Sequence, residues 1–374
     1  LAPVINEVSR NSFGLNNIAG NVREWVLNAL DKEKTKRANL GGNYTDDPYI
    51  FNDYYGQNAM DRSIGNGIRL SKSLSKNNSY NGADDAIGIA VREFEKEPDV
   101  SNEVFEIFKS QFDIKPDLPE VTLKDVGLYD GTIKVQRYEM NAPYGNNEKL
   151  VGYIFFESGI KKKLNPIIFF PGSNAIHLTN TDLMIKRIIS NNTYLFKEGY
   201  ALIHPIYKST YEREDKQKRD YADESDFYKE HVLMWGKDYK QSINYIASRN
   251  DMDINNLSYY GVSWGGSMAN ILLAIDSRVK AAVLNVAGLE FQRSKKEIEP
   301  HYYTRRINIP VLMVNGKYDQ FFPLETSQIP MFRLLGTPSE HKKHYIYEAG
   351  HNVPHEELVK LHMDWLHKYC PTAK

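Results

Sequence analysis

Short apolar runs and longer amphipathic segments alternate from about residue 126 to the end of the chain. The run Pro166-Ile167-Ile168-Phe169-Phe170 is continuously apolar, which is typical of a strand buried on both faces. Strands are predicted at residues 132–138, 150–156, 166–170, 201–203, 257–260, 280–286, 309–314 and 344–347, and the first two are expected to be antiparallel. Helices are predicted at residues 183–196, 227–247, 267–275 and 355–369. This alternation predicts an α/β fold with a doubly wound, mostly parallel sheet.

The N-terminal part of the chain differs in composition and in its hydrophobic pattern. Residues 1–75 are rich in Asn and Gly and contain few periodic apolar runs, which indicates a small loop-rich segment. Residues 76–125 are predicted to form a linker and helices. The polar stretch at 71–85 is typical of a linker, and one helix is predicted at 104–112. Residues 126–374 then hold the α/β domain.

Composition and charge exclude several classes of protein. The chain has 374 residues, of which 41% are hydrophobic and 25% charged, as in an ordinary globular domain. Its formal net charge of −1 provides no field that favours nucleic acid or an anionic membrane. No apolar run is long enough for a membrane span, and no signal peptide is visible. The single cysteine, Cys370, excludes an intrachain disulfide and a cysteine-based metal cluster.

Two further points concern the chain as a whole. It begins at Leu1 rather than Met, which predicts a piece of a longer protein. Scarce cysteine fits the bacterial cytoplasm and the outside of the cell equally, so the compartment stays open.

The most informative motif is Gly261-Val262-Ser263-Trp264-Gly265-Gly266, which lies between a predicted strand and a predicted helix. A strand–turn–helix setting is what the pattern G-x-S-x-G requires to form a nucleophile elbow. The turn is so sharp that the serine takes a strained conformation, and the flanking glycines remove Cβ atoms that would collide with neighbouring chain. We therefore predict Ser263 as the nucleophile.

A serine nucleophile needs a base and a carboxylate that orients the base, in the chain order Ser, Asp or Glu, His. Asp319 follows the predicted strand at 309–314, in the loop beyond its carboxyl end, where sites collect in open α/β sheets. His351 follows Gly350 in the loop before the last helix. We predict Asp319 and His351 as the acid and the base, and most of the other histidines as structural or exposed.

An oxyanion hole needs two N–H donors, one after the nucleophile and one after an early strand. The first is predicted to be the N–H of Trp264. The loop Pro171-Gly172-Ser173-Asn174 makes the N–H of Ser173 the second candidate, with Asn174 as the fallback. Residues 205–225 are predicted to cap the site, where Tyr207 either binds substrate or packs in the interior.

Residues 126–374 resemble the α/β-hydrolase superfamily, nearest its dienelactone-hydrolase, acetyl-xylan-esterase and prolyl-oligopeptidase branches. The resemblance is carried by Phe169-Phe170-Pro171-Gly172-Ser173, the Gly261–Gly266 motif, Gly316-Lys317-Tyr318-Asp319 and Gly350-His351. It implies a serine hydrolase that cleaves a small-molecule carboxylic ester through an acyl-enzyme, without a cofactor or a metal. Two alternatives stay open: a peptidase of the prolyl-oligopeptidase kind, although the sequence shows no propeller before the hydrolase motifs, and a binding or regulatory module with an idle triad.

Residues 12–72 resemble the C-terminal end of the formylglycine-generating (sulfatase-modifying) enzymes. The matching stretches are Phe13-Gly14-Leu15, Ile18-Ala19-Gly20-Asn21-Val22-Arg23-Glu24-Trp25, Gly41-Gly42-Asn43-Tyr44, Arg62 and Gly67-Ile68-Arg69. The two cysteines of that family fall on Asp46 and Phe51 here, so no formylglycine-generating activity is predicted. Asn21 and Glu24 match a calcium-binding motif of the family or, alternatively, fix turns.

The order of these two elements resembles the C-terminal part of bacterial serine/threonine kinase fusions. Pro205-Ile206-Tyr207-Lys208-Ser209-Thr210-Tyr211-Glu212-Arg213 and Leu335-Gly336-Thr337-Pro338 also look like that group. No kinase motif occurs in this sequence. The resemblance therefore implies a kinase domain upstream of Leu1.

Overall fold

The computed structural model describes residues 12, 14–30, 36–44, 55–58, 60–70, 86, 92–145 and 147–373. The chain divides into two compact units, Leu1–Val91 and Arg92–Lys374. Each unit is described separately below.

The first unit contains a small sheet that the sequence analysis did not predict. Its strands are β1 (Arg23–Ala29), β2 (Lys36–Leu40), β3 (Tyr55–Asn58) and β4 (Asn66–Gly67), in the order β3-β2-β1-β4. Pairing is antiparallel except between β1 and β4, which are parallel. The strands are short and lie between Asn- and Gly-rich turns, so their period-2 pattern is too brief to identify from sequence. The predicted linker at 71–85 and the positions Asp46 and Phe51 lie outside the described residues.

Glu24 in β1 has a partner that bears on the calcium interpretation. Arg69 donates from Nε to both carboxylate oxygens at 2.9 Å and from Nη2 to Oε1 at 2.7 Å. This bidentate pair neutralises the charge that a calcium ion would require. The arrangement favours the alternative in which Glu24 fixes the local turns. The resemblance to sulfatase-modifying enzymes stays a prediction.

The second unit is built on a nine-stranded sheet in the order β13-β12-β11-β10-β8-β9-β7-β6-β5. Its strands are β5 (Thr122–Tyr129), β6 (Ile133–Asn141), β7 (Lys149–Glu157), β8 (Asn165–Phe170), β9 (Tyr200–Ile206), β10 (Ser258–Val262), β11 (Ala281–Asn285), β12 (Val311–Gly316) and β13 (Lys342–Tyr347). From β8 onwards the strands run parallel, whereas β5, β6 and β7 pair antiparallel at one edge. The predicted doubly wound, mostly parallel sheet is confirmed.

Helices cover both faces of this sheet. They are α1 (Asn102–Ser110), α2 (Thr181–Lys197), α3 (Asp226–Ser248), α4 (Trp264–Ile275), α5 (Pro300–Thr304), α6 (Ile329–Leu334) and α7 (His355–Tyr369). Strand β8 shows why two layers form, because its side chains alternate between two cores. Ile168 and Phe170 lie in the core with α3 and α4. Ile167 and Phe169 lie in the core with α2 and α7. Among the described residues, no helix is long and apolar enough to cross a membrane.

Residues 92–125, which the sequence assigned to the linker and helices, fold as part of the second unit. Phe105 in α1 and Phe112 after it are buried and pack edge-on against Tyr303 at ring-centroid distances of 5.1 and 6.0 Å. Arg92 forms a buried ion pair of 2.9 Å with Glu299. These contacts join the segment to the chain around α5.

Candidate active site

The turn between β10 and α4 is the predicted nucleophile elbow. Ser263 lies at its apex with φ 53° and ψ −110°, a conformation that is uncommon for any residue but glycine. Its N–H donates to the carbonyl of Asn285 at 2.9 Å, and the N–H of Gly265 donates to the carbonyl of Pro171 at 3.0 Å. The strained backbone is thus held by hydrogen bonds to the last residue of β11 and to the residue that follows β8.

Two glycines of the elbow are required by close packing. A Cβ on Gly261 would lie 2.4 Å from the carbonyl oxygen of Gly265, and a Cβ on Gly265 would lie 2.1 Å from the carbonyl oxygen of Phe170. Both neighbours are backbone atoms, which cannot move aside cheaply. Gly261 and Gly265 therefore leave room for neighbouring backbone, as the sequence pattern predicts.

Ser263, His351 and Asp319 meet at the carboxyl ends of the parallel strands. His351 Nε2 lies 2.7 Å from Ser263 Oγ, and His351 Nδ1 lies 2.8 Å from Asp319 Oδ2. The side chain of His351 is 18% exposed and that of Asp319 is fully buried, so the site opens to solvent on the histidine side. In this geometry the hydroxyl donates to Nε2 and the protonated Nδ1 donates to the carboxylate.

Asp319 is oriented by its own loop. Its Oδ1 accepts hydrogen bonds from the N–H groups of Phe321 and Phe322 at 2.9 and 3.0 Å, which leaves Oδ2 for His351. The Phe321 ring stands nearly edge-on to the imidazole, with a centroid distance of 4.7 Å. The carboxylate and the ring together restrict how the histidine can turn.

The loops that carry Asp319 and His351 are joined by backbone hydrogen bonds. The N–H of Lys317 donates to the Tyr347 carbonyl at 2.8 Å, and the N–H of Tyr318 donates to the Ala349 carbonyl at 2.9 Å. Gly316, at the end of β12, allows this approach, because a Cβ there would lie 1.9 Å from the carbonyl oxygen of Gly350.

Replacing Gly316 by alanine is therefore expected to push the His351 loop away from Asp319. Overpacking of this kind costs about 1–3 kcal/mol of stability, and a displacement of about 1 Å at a catalytic group lowers the rate by roughly 10²-fold. Thermal unfolding and hydrolysis of an activated ester measure the two effects. Gly127→Ala is the matched control, because a Cβ at Gly127 meets nothing closer than 3.6 Å. Equal activity in the two variants would contradict the argument.

The predicted oxyanion donors flank the nucleophile. Trp264 is the first residue of α4, where amide groups have no acceptor within the helix. Ser173 is the first residue of a short 3₁₀ turn, Ser173–Ile176. The preceding Gly172 lies against the nucleophile, since a Cβ there would be 3.5 Å from the Cβ of Ser263. Asn174, the fallback, follows in the same turn.

Tyr207 requires a correction. It has no exposed surface, stacks on Phe170 with a centroid distance of 4.0 Å, and donates its hydroxyl to the Phe169 carbonyl at 3.2 Å. Burial raises the pKa of this phenol well above its usual value. The side chain packs in the interior, and the interpretation that it binds substrate is wrong.

The sequence missed the backbone partners of the site. The carbonyl of Asn285 and the amides of Phe321 and Phe322 fix Ser263 and Asp319, but such groups exist at nearly every position and leave no signature in the sequence. Within the described part of the chain, no three or more His, Cys, Asp or Glu side chains converge as a metal site would require.

Comparisons with known proteins agree with this architecture. Residues 167–351 match the model of the Dienelactone hydrolase family, a range that contains Ser263, Asp319 and His351. No curated protein is matched by the sequence.

Two solved structures are similar to the second unit. Acetyl xylan esterase 1 from Thermoanaerobacterium sp. JW/SL YS485 is 13% identical, with a TM-score of 0.54 over 72% of this chain and 95% of that one. An acetyl xylan esterase from Paenibacillus sp. R4 is 15% identical, with a TM-score of 0.54 over 74% of this chain and 98% of that one. At these identities the structures show the fold alone, and the family match over residues 167–351 supports a hydrolase.

Proposed function

We propose that this chain, which has an α/β-hydrolase fold, is a serine hydrolase that cleaves carboxylic esters through an acyl-enzyme. The observation that carries the proposal is the unbroken path from Ser263 Oγ to His351 Nε2 at 2.7 Å and from His351 Nδ1 to Asp319 Oδ2 at 2.8 Å. Both distances lie in the range in which a base can take a proton from a nucleophile and be oriented by a third group.

The reaction begins when Ser263 Oγ attacks the ester carbonyl carbon and its proton passes to His351 Nε2. The tetrahedral oxyanion that forms is held by the N–H groups of Trp264 and Ser173. Each donor in such a hole is typically worth about 2.7–4 kcal/mol in the transition state. Asp319 stays ionised and stabilises the imidazolium.

Collapse of the tetrahedral species breaks the bond to the alcohol, and the alcohol oxygen takes the proton from His351. A water molecule then loses a proton to His351 and attacks the acyl-enzyme. The carboxylic acid leaves, and Ser263 regains its proton. Neither half-reaction draws on a cofactor.

The test is covalent labelling with a fluorophosphonate probe, located by mass spectrometry of the digested protein. Labelling at Ser263 and steady hydrolysis of p-nitrophenyl acetate are the expected results. Acetyl esters are the first choice because the two similar structures are named acetyl xylan esterases. An unlabelled Ser263 would overturn the proposal in favour of an idle triad. Turnover of aminoacyl p-nitroanilides without ester cleavage would favour a peptidase.

A further inference from the structure

The segment between β9 and α3, residues 207–225, is here called the cap segment. Its first half is fixed to α3. Arg213 donates to the Ile206 carbonyl and to Asp238 Oδ2, both at 2.6 Å, and Asp215 Oδ2 lies 2.9 Å from His231 Nε2. Lys208 lies 3.6 Å from the same carboxylate oxygen of Asp215. These bonds hold the cap segment up to about residue 215.

The side chain of Glu290 connects the second half of the cap segment to the nucleophile helix. The N–H of Ala222 donates to Glu290 Oε2 at 3.1 Å, and the hydroxyl of Ser267 donates to Glu290 Oε1 at 3.2 Å. Ser267 lies one turn along α4 from Ser263, and its N–H donates to the Ser263 carbonyl at 2.9 Å. Glu290 therefore bridges the cap segment and the helix that begins at the nucleophile.

The loop that carries Glu290 is itself firmly placed. It leaves β11 at Asn285, whose carbonyl accepts the N–H of Ser263. A Cβ on Gly288 would lie 2.1 Å from Ser327 Oγ and 2.7 Å from the Cβ of Phe322, so the loop packs tightly against the chain that follows Asp319. The carboxyl group of Glu290 is thus presented to the cap segment from a rigid support.

We propose that Glu290 is a positioning residue that latches the cap segment onto the nucleophile helix, one turn from Ser263. Its effect on ester cleavage rests on the proposed function. Its effect on the cap segment does not.

Charge around Glu290 gives the latch a pH dependence. The groups that face it are Asp220 in the cap segment, Glu299 before α5, Ser267 in α4 and Tyr228 in α3. Burial and the neighbouring Asp220 raise the pKa of Glu290 from 4.5 to about 8. The latched form thus prefers a neutral Glu290, in which one oxygen still accepts from Ala222 and the Ser267 hydroxyl turns so that it accepts from the protonated oxygen.

The direction of the effect follows from this raised pKa. An unlatched Glu290 ionises near its usual pKa of 4.5, whereas the latched residue ionises near 8. The latch is therefore strongest below about pH 4.5 and weakens as the pH rises to about 8. The opening constant rises by up to tenfold per pH unit within this window and levels off above it.

Limited trypsin digestion reports opening of the cap segment, because Lys218 and Arg219 lie in it with side chains that are 56% and 68% exposed. Cleavage of a native chain needs local opening, and its rate follows the open population. Glu290→Leu removes both hydrogen bonds, so cleavage at these sites is expected at least tenfold faster at pH 7 than in wild type. Glu224→Leu is the matched control, because Glu224 is exposed on the same segment.

Glu290→Gln keeps both hydrogen bonds and cannot ionise. The ratio of wild-type to Glu290→Gln cleavage should therefore rise at least tenfold between pH 6 and pH 8.5, and trypsin's own pH dependence cancels in this ratio. A constant ratio, or a folded Glu290→Leu protein cut at the wild-type rate, would overturn the latch. If Glu290→Leu does not fold, the pH ratio alone decides.

Ester kinetics of the same variants separate failure of the latch from failure of the proposed function. If wild type reacts with the fluorophosphonate at Ser263 and hydrolyses the ester, the unlabelled Glu290→Leu protein should show a KM for p-nitrophenyl acetate that rises more than its kcat falls, while Glu224→Leu matches wild type. If wild type proves inactive, the proposed function fails, and the digestion results still decide the latch.

Discussion

Replacing Ser263 by alanine should lower kcat/KM for p-nitrophenyl acetate by roughly 10⁵- to 10⁶-fold, the loss expected when a triad nucleophile is removed. The substitution deletes the oxygen that lies 2.7 Å from His351 Nε2, so neither attack nor formation of an acyl-enzyme can occur. The fold should be unaffected, because the N–H that donates to the Asn285 carbonyl is retained. Alanine tolerates φ near 53° no worse than serine does.

Initial rates at saturating and subsaturating ester, together with fluorophosphonate labelling, measure this effect. Ser190→Ala is the matched control, because this serine is exposed on α2 and its hydroxyl bonds only the Arg187 carbonyl at 3.1 Å. It should label and turn over like wild type. A Ser263→Ala protein that cleaves the ester at the wild-type rate would show that hydrolysis occurs elsewhere on the molecule.

The parts of the fold that were predictable are those in which one physical requirement sets the residue type. A strand covered on both faces must be apolar at every position, which identified β8 without other help. The elbow needs glycines where backbone crowds backbone, and the clashes at Gly261 and Gly265 explain why that motif was readable. The loops after β12 and β13 were found for a related reason, since parallel strands deliver their carboxyl ends to one edge.

The parts that were missed depend on partners far away in the chain. Strand β5 is an edge strand with mostly exposed side chains, so it lacks the alternation that marks a half-buried strand. Tyr207 follows a buried strand, and only the three-dimensional structure shows that its hydroxyl reaches the Phe169 carbonyl. Glu290 gave no signal, because its role depends on Ala222 and Ser267, which are 68 and 23 residues away.

Changing Asp319 to asparagine should lower kcat/KM by roughly 10⁴-fold while leaving the fold intact, as expected when the residue that sets the tautomer of a triad histidine loses its charge. The reason lies in the two amides of Phe321 and Phe322, which donate to Oδ1. They require an acceptor at that position, so the asparagine oxygen must occupy it. The amide nitrogen then faces His351 Nδ1, 2.8 Å from the present oxygen position.

An amide nitrogen can only donate, so Nδ1 must become the acceptor and the ring proton must move to Nε2. The base then points an N–H at Ser263 Oγ and cannot take its proton. The opposite rotamer would place the amide nitrogen against two N–H groups, which is unfavourable for every tautomer. Ester kinetics and thermal unfolding measure the effect, with Asp113→Asn as control because the Asp113 side chain is 67% exposed and forms a surface ion pair with Lys240. Wild-type kcat/KM in a folded Asp319→Asn protein would mean that Asp319 does not orient His351 during turnover.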